Sequence, residues 1–126
     1  MRILLVDDND VILERAAEVL SSDCTIVGTA KDGASALESV RLLGPDVVVL
    51  DISMPGMTGL EVASRLRRDG IDIPIVFLTI HNDQELVRAA RAAGGIGYVE
   101  KTLLSSDLPD AVNEAYAGRP YISRMR

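Results

Sequence analysis

Five short apolar runs alternate along the chain with stretches in which apolar residues recur every three or four positions. Ile3-Leu4-Leu5-Val6, Val47-Val48-Val49-Leu50 and Ile75-Val76-Phe77-Leu78 are unbroken. Such runs, rich in β-branched residues, read as strands buried on both faces. Thr25 to Ala30 and Ile96 to Glu100 are weaker strands of the same kind. Between them, Ile12, Ala16 and Leu20 share one helical face, with Leu13 and Ala17 beside it. The same spacing turns Ala36, Leu37, Val40 and Leu43 inward, then Leu60, Ala63 and Leu66, then Leu86, Ala89, Ala90 and Ala93, and last Leu108, Ala111, Val112 and Ala115.

Caps mark the helix boundaries. Asn9 or Asp10 opens the first helix and Asp32 the second. Thr58-Gly59-Leu60-Glu61 is a capping box for the third, and Asn82 with Glu85 suggests another for the fourth. Ser105 or Ser106 is the expected cap of the fifth, which places Pro109 in a first turn that tolerates it. Gly44-Pro45, Asp69-Gly70, Gly94-Gly95 and Gly118 are the stops. Strands alternating with helices across short connections predict an α/β fold with a parallel sheet. Right-handed crossovers leave few arrangements. The expected one is a doubly wound (βα)5, flavodoxin-like three-layer sandwich with strand order 2-1-3-4-5.

At 126 residues this is one domain, and 48% hydrophobic against 25% charged residues makes it globular rather than disordered. A formal net charge of -6 argues against a nucleic-acid-binding surface on the domain as a whole. The single Cys24 cannot form an internal disulfide and reads as a small structural thiol in a reducing compartment. No apolar run approaches a membrane span, and Met1-Arg2 enters a strand with no signal-peptide build, so a cytoplasmic, membrane-free protein is expected.

The chemistry lies where strands end. In the expected order the first and third strands meet at the switch point, and ligands of open parallel sheets bind there, beyond the carboxyl ends. Asp7 and Asp8 then converge on Asp51. Three close carboxylates cannot all stay ionised without compensating cations, and Mg²⁺, which takes hard oxygen ligands, fits. The fourth strand brings the Thr79 hydroxyl to this edge and the fifth brings the Lys101 ammonium. An acidic cluster, a metal, a lysine and a hydroxyl are the parts that hold a transferring phosphoryl group. Judged singly, each has a blander reading: Asp7 and Asp8 as helix caps, Lys101 as a solvated loop residue, Thr79 as a strand end, Tyr98 as a sheet-edge aromatic. His81 reads as a surface loop residue, and Arg65, Arg67 and Arg68 as the solvated face of the third helix.

Four motifs in order carry a resemblance: Leu5-Val6-Asp7-Asp8-Asn9, Asp51-Ile52-Ser53-Met54-Pro55-Gly56-Met57-Thr58-Gly59, Leu78-Thr79 and Gly97-Tyr98-Val99-Glu100-Lys101. From Met1 to about Gly118 the chain resembles the receiver domains of two-component response regulators. The resemblance implies a receiver over 1–118 and the start of a linker or tail over 119–126. It implies Asp51 as phosphoacceptor and Mg²⁺ held by Asp7, Asp8, Asp51 and the backbone carbonyl of Ser53, with Asp7 acting through water. Thr79 and Lys101 would bind phosphoryl oxygens, and Thr79 with Tyr98 would form the switch, Tyr98 turning inward once Thr79 is drawn toward the phosphoryl group. The chain departs from the family at Thr102, where many members have a proline after a cis bond, and at Ile80, where the residue is often small. Ala111 to Ser123 further resembles the junction leading to a LuxR-type helix-turn-helix domain. The chain stops where that domain would begin, so it reads as an excised receiver or as a stand-alone protein with a vestigial tail.

The implied function is a signalling switch that takes a phosphoryl group from a sensor histidine kinase and assists its own phosphorylation and dephosphorylation. The face formed by the fourth helix, fifth strand and fifth helix would change and could pair homodimers. DNA would be bound through the missing C-terminal domain, not by this fragment. Two rival readings are weaker. An aspartate-nucleophile phosphatase places a second aspartate two residues after the nucleophile, where Ser53 stands. A flavin module needs a phosphate-cradling loop after the first strand, where Asp7-Asp8-Asn9-Asp10 would repel phosphate.

Overall fold

The elements follow one another as β1 (Arg2–Val6), α1 (Asp10–Leu20), β2 (Thr25–Ala30), α2 (Gly33–Leu43), β3 (Val47–Asp51), α3 (Gly59–Arg68), β4 (Ile75–Thr79), α4 (Gln84–Ala92) and β5 (Gly97–Glu100). A single 3-10 turn at Lys101–Leu103 leads into α5 (Leu104–Tyr116), and β6 (Tyr121–Ile122) closes the series. The structure, a computed structural model, describes residues 1–80 and 84–123. His81, Asn82, Arg124 and Arg126, and with them the fourth helix's expected capping box, lie outside the described residues.

The sheet is parallel with order β2-β1-β3-β4-β5-β6. The five expected strands take the expected order, and β6 adds one more at the β5 edge. Two cores explain why the central runs carry no polar alternation. Leu4, Val6, Val48, Leu50, Ile75, Phe77 and Tyr98 pack on the α2–α4 side. Their neighbours Ile3, Leu5, Val47, Val49, Val76, Leu78 and Val99 pack against α1 and α5. Every residue of β3 and β4 is buried, so both faces of the pleat need apolar side chains.

Helix boundaries follow local chemistry at most ends. The Asn9 side chain accepts hydrogen bonds from the N–H groups of Val11 and Ile12, and Asp32 accepts one from Ser35. Thr58 and Glu61 form the reciprocal capping box of α3. Gly44 ends α2 with φ +53, a left-handed conformation suited to glycine.

Four expectations are corrected. Neither Ser105 nor Ser106 caps α5: the 3-10 turn runs straight into it, Leu104 N–H donates to Lys101 O, and Ser106 Oγ donates back to Leu103 O. Pro109 therefore lies inside α5, beyond its first turn. On α4, Ala89 is exposed while Val87 and Ala90 are buried, because alanines leave the apolar face of a helix poorly defined. Arg67 is no solvated side chain: its guanidinium donates to the carbonyls of Ile71, Ile73 and Gly94, each at 2.8 Å. It thereby ties the chain after α3 to the turn that follows α4.

Candidate functional site

The parallel order brings four strand ends to one edge. Val6 pairs with Leu50, so Asp7 emerges beside Asp51, the last residue of β3. Asp51 pairs with Leu78 and Thr79 with Glu100, which sets Thr79 and Lys101 on the next two strands. Asp7, Asp51 and Thr79 are buried, at 0%, 2% and 2% exposure, while Asp8 is exposed. Buried ionisable groups at the end of an apolar strand require compensation.

Lys101 supplies part of it. Its ammonium lies 2.8 Å from Asp7 Oδ2 and 3.2 Å from Asp51 Oδ1. Asp7 Oδ1 also accepts the Asn9 N–H at 2.9 Å, and Asp51 Oδ1 the Ser53 N–H at 3.3 Å. Asp51 Oδ2 is buried and makes no hydrogen bond. Burial first, then the charge of Asp7, pushes the Asp51 carboxyl up to about 6, against the pull of Lys101 and the Ser53 N–H. Burial would lower the Lys101 ammonium, but its contacts with Asp7 and Asp51 hold it above its ordinary value.

Asp7, Asp8 and Asp51 each offer an oxygen within 4.8 Å of the others. One ammonium serves two buried carboxylates, a third lies beside them, and Asp51 Oδ2 has neither a hydrogen bond nor an ion contact, whereas Asp7 Oδ2 has only the Lys101 ammonium. That donor set fits a hard divalent cation, and it fits magnesium in particular, which keeps several waters and needs few protein carboxylates. Asp51 Oδ2 is also the oxygen that could act as a nucleophile.

Of the other expected residues, Ser53 is exposed and touches the cluster through its N–H. Tyr98 stands apart from the cluster, 3% exposed in the core on the α2–α4 side, in register with Phe77. It is already turned inward. Ile80, just beyond Thr79, is 64% exposed. Among the described residues no peptide bond is cis, so Lys101–Thr102 is trans. Gly59 has a role that sequence reasoning missed. A Cβ there would collide with the Asp51 carbonyl oxygen, so this glycine lets α3 start against the end of β3. Its place in the Thr58–Glu61 capping box was the available signal.

A family model described as "Response regulator receiver domain" matches residues 3–113. The chain is 36% identical over 123 residues to the nitrate/nitrite response regulator protein NarL of Escherichia coli, covering 96% of this chain and 57% of that protein. It is 32% identical over 125 residues to the response regulator UvrY of Escherichia coli, covering 98% and 57%. The chain thus spans 57% of the length of these curated relatives. Among solved structures, a LuxR-family two-component response regulator from Aurantimonas sp. SI85-9A1 matches with TM-score 0.92 at 31% identity, covering 97% of this chain and 89% of that one.

Proposed function

The chain belongs to the response regulator receiver domains, with LuxR-family regulators among its relatives, and from that premise we propose that Asp51 is its phosphoryl acceptor. The family is one of signalling proteins rather than enzymes acting on an external metabolite. The observation that carries the proposal is the buried Asp51 carboxylate, whose Oδ1 lies 3.2 Å from the Lys101 ammonium while Oδ2 makes no hydrogen bond.

In the proposed reaction a carboxylate oxygen of Asp51 attacks the phosphorus of a phosphohistidine on a sensor histidine kinase. The P–N bond breaks, the imidazole leaves with its electron pair, and an acyl phosphate remains. Lys101 offsets charge on the transferring group, and the Thr79 hydroxyl donates to a phosphoryl oxygen. Asp7, Asp8, Asp51 and the Ser53 carbonyl would hold Mg²⁺, which orients the phosphoryl group and screens its charge when bound. Hydrolysis of the acyl phosphate resets the domain. The reading also takes 1–118 as the receiver and 119–126 as the start of a linker. It puts the protein in the cytoplasm, with output through a DNA-binding domain absent from this chain and a homodimer face at α4, β5 and α5. Among the described residues no helix is long and apolar enough to cross a membrane.

Incubation with acetyl phosphate and intact-mass measurement tests this. A phospho-adduct should form with Mg²⁺ and be lost in chelator and in Asp51→Asn. An adduct that survives either change overturns the assignment.

A further inference from the structure

The cations of this acidic chain are not all put to use. Among the described residues, Lys31, Arg41, Lys101 and Arg119 meet carboxylates, and Arg2, Arg15 and Arg67 donate to other oxygens. The other four, Arg65, Arg68, Arg88 and Arg91, are exposed on α3 and α4 and make no ion pair or side-chain hydrogen bond to the described residues. Against a net charge of -6, two helices therefore carry a concentrated positive field. Between their outer faces runs a trough of about 500 Å³, open along one side. Ser64, Arg65 and Arg68 form its α3 wall, and Ala89, Ala92 and Ala93 its α4 wall, with Leu60 at one end. Leu60, Ser64 and Arg68 follow one another at four-residue spacing, so this wall runs for about 12 Å, roughly two helical turns. Glu61, beside Leu60, is the acidic group of the lining, and Thr58 already engages it.

We propose that this trough docks an acidic amphipathic helix of a partner protein. Three features select that occupant. An open trough does not enclose a small ligand, whereas a helix laid along it covers both walls. The exposed methyl groups of Ala89 and Ala92 let a helix backbone come close, and Leu60 receives an apolar anchor. Arg65 and Arg68, three residues apart, match carboxylates at the same spacing on the incoming helix, each guanidinium offering a planar fork. Glu61 sets the polarity, because the occupant's carboxylates belong at the Arg68 end. The trough lies on the α3 side of α4. It is therefore separate from the face formed by α4, β5 and α5, and from the hollow that Arg88 and Arg91 line with Ile122. Its occupation does not depend on the phosphoacceptor reading.

The test titrates the isotope-labelled 126-residue chain with a stapled helical peptide of about three turns, carrying leucines at i, i+4 and i+7 with glutamates beside them. Amide shifts read by NMR should map to residues 60–68 and 89–93 and should fade with added salt. Arg65→Glu combined with Arg68→Glu, both at exposed positions, should weaken binding at least about ten-fold, the scale of two exposed ion pairs lost and reversed. Ala89→Trp should block the trough without a change of charge. Arg88→Glu combined with Arg91→Glu, on the far flank of α4, should cost less than the Arg65 and Arg68 pair. The same peptide with lysine in place of glutamate should not bind. The proposal is overturned if no amide shifts at millimolar peptide, if the lysine peptide binds as well, or if the far-flank pair costs more. It also falls if pyrophosphate or a short DNA duplex shifts these amides at lower concentration than the peptide does. Shifts of the same amides on simple dilution of the protein would make the occupant a second copy and overturn it too.

Discussion

Replacing Asp51 by Asn should stabilise the metal-free protein at neutral pH and leave it nearly unchanged in acid. The folded state raises the Asp51 carboxyl from 3.8 to about 6. A group whose pKa is raised on folding favours the fold while protonated. Its contribution is fully present below the unfolded value and is lost as pH rises through the folded value. Each pH unit of displacement is worth about 1.4 kcal/mol, so ionising Asp51 costs the fold about 3 kcal/mol at pH 7.5. Asn keeps an acceptor for the Ser53 N–H and for Lys101 but carries no charge to desolvate. Urea unfolding in chelator should give Asp51→Asn a higher midpoint at pH 7.5, with an unfolding free energy larger by that amount. The gain should shrink between pH 6 and pH 4 and vanish below. Saturating Mg²⁺ should reduce the gap at pH 7.5, since a cation stabilises the parent, which offers it three carboxylates, more than the variant, which offers two. Equal midpoints at pH 7.5, or a gap that persists in acid, would refute the claim that Asp51 is held ionised at a cost.

Arg67→Ala should lower stability by about 2 kcal/mol, because three carbonyls lose a charged donor, and Arg67→Lys should not restore it, since one ammonium cannot reproduce the planar fork; denaturant midpoints check both. Thr79→Ala should still bind Mg²⁺ and beryllium fluoride, read at the amides of Asp8 and Ser53, while the response of residues 84–112 largely disappears. Persistence of that response would remove Thr79 and Tyr98 as the relay and move it to the loop after Asp51.

The parts most visible in the sequence are those in which chemistry and burial act locally. Val47 to Leu50 and Ile75 to Leu78 read as strands because a sheet covered on both faces leaves no room for polar alternation. Once β1 and β3 were neighbours, Asp7 and Asp51 had to meet, and Lys101 followed from the end of β5. What escaped depends on distant partners. Tyr121–Ile122 is too short to show a period and is a strand only because the β5 edge and Asp107 receive it. Arg67 has the spacing of a surface residue, and only the tertiary fold brings three carbonyls to it. The start of α5 was misplaced because the turn after Lys101 satisfies backbone groups that serine side chains were expected to serve. Tyr98 was expected to turn inward only after Thr79 moves toward a phosphoryl group, yet it is already inward, packed in the core on the α2–α4 side.

The account stands on Asp51 as the residue that carries the phosphoryl group. Borohydride reduces an acyl phosphate to an alcohol, so an aspartyl phosphate becomes homoserine. The protein should be treated with acetyl phosphate and Mg²⁺, reduced, digested and sequenced by mass spectrometry. Homoserine at position 51, and at no other aspartate, is the predicted result. Homoserine at position 7 or 8 with position 51 unmodified would contradict the account.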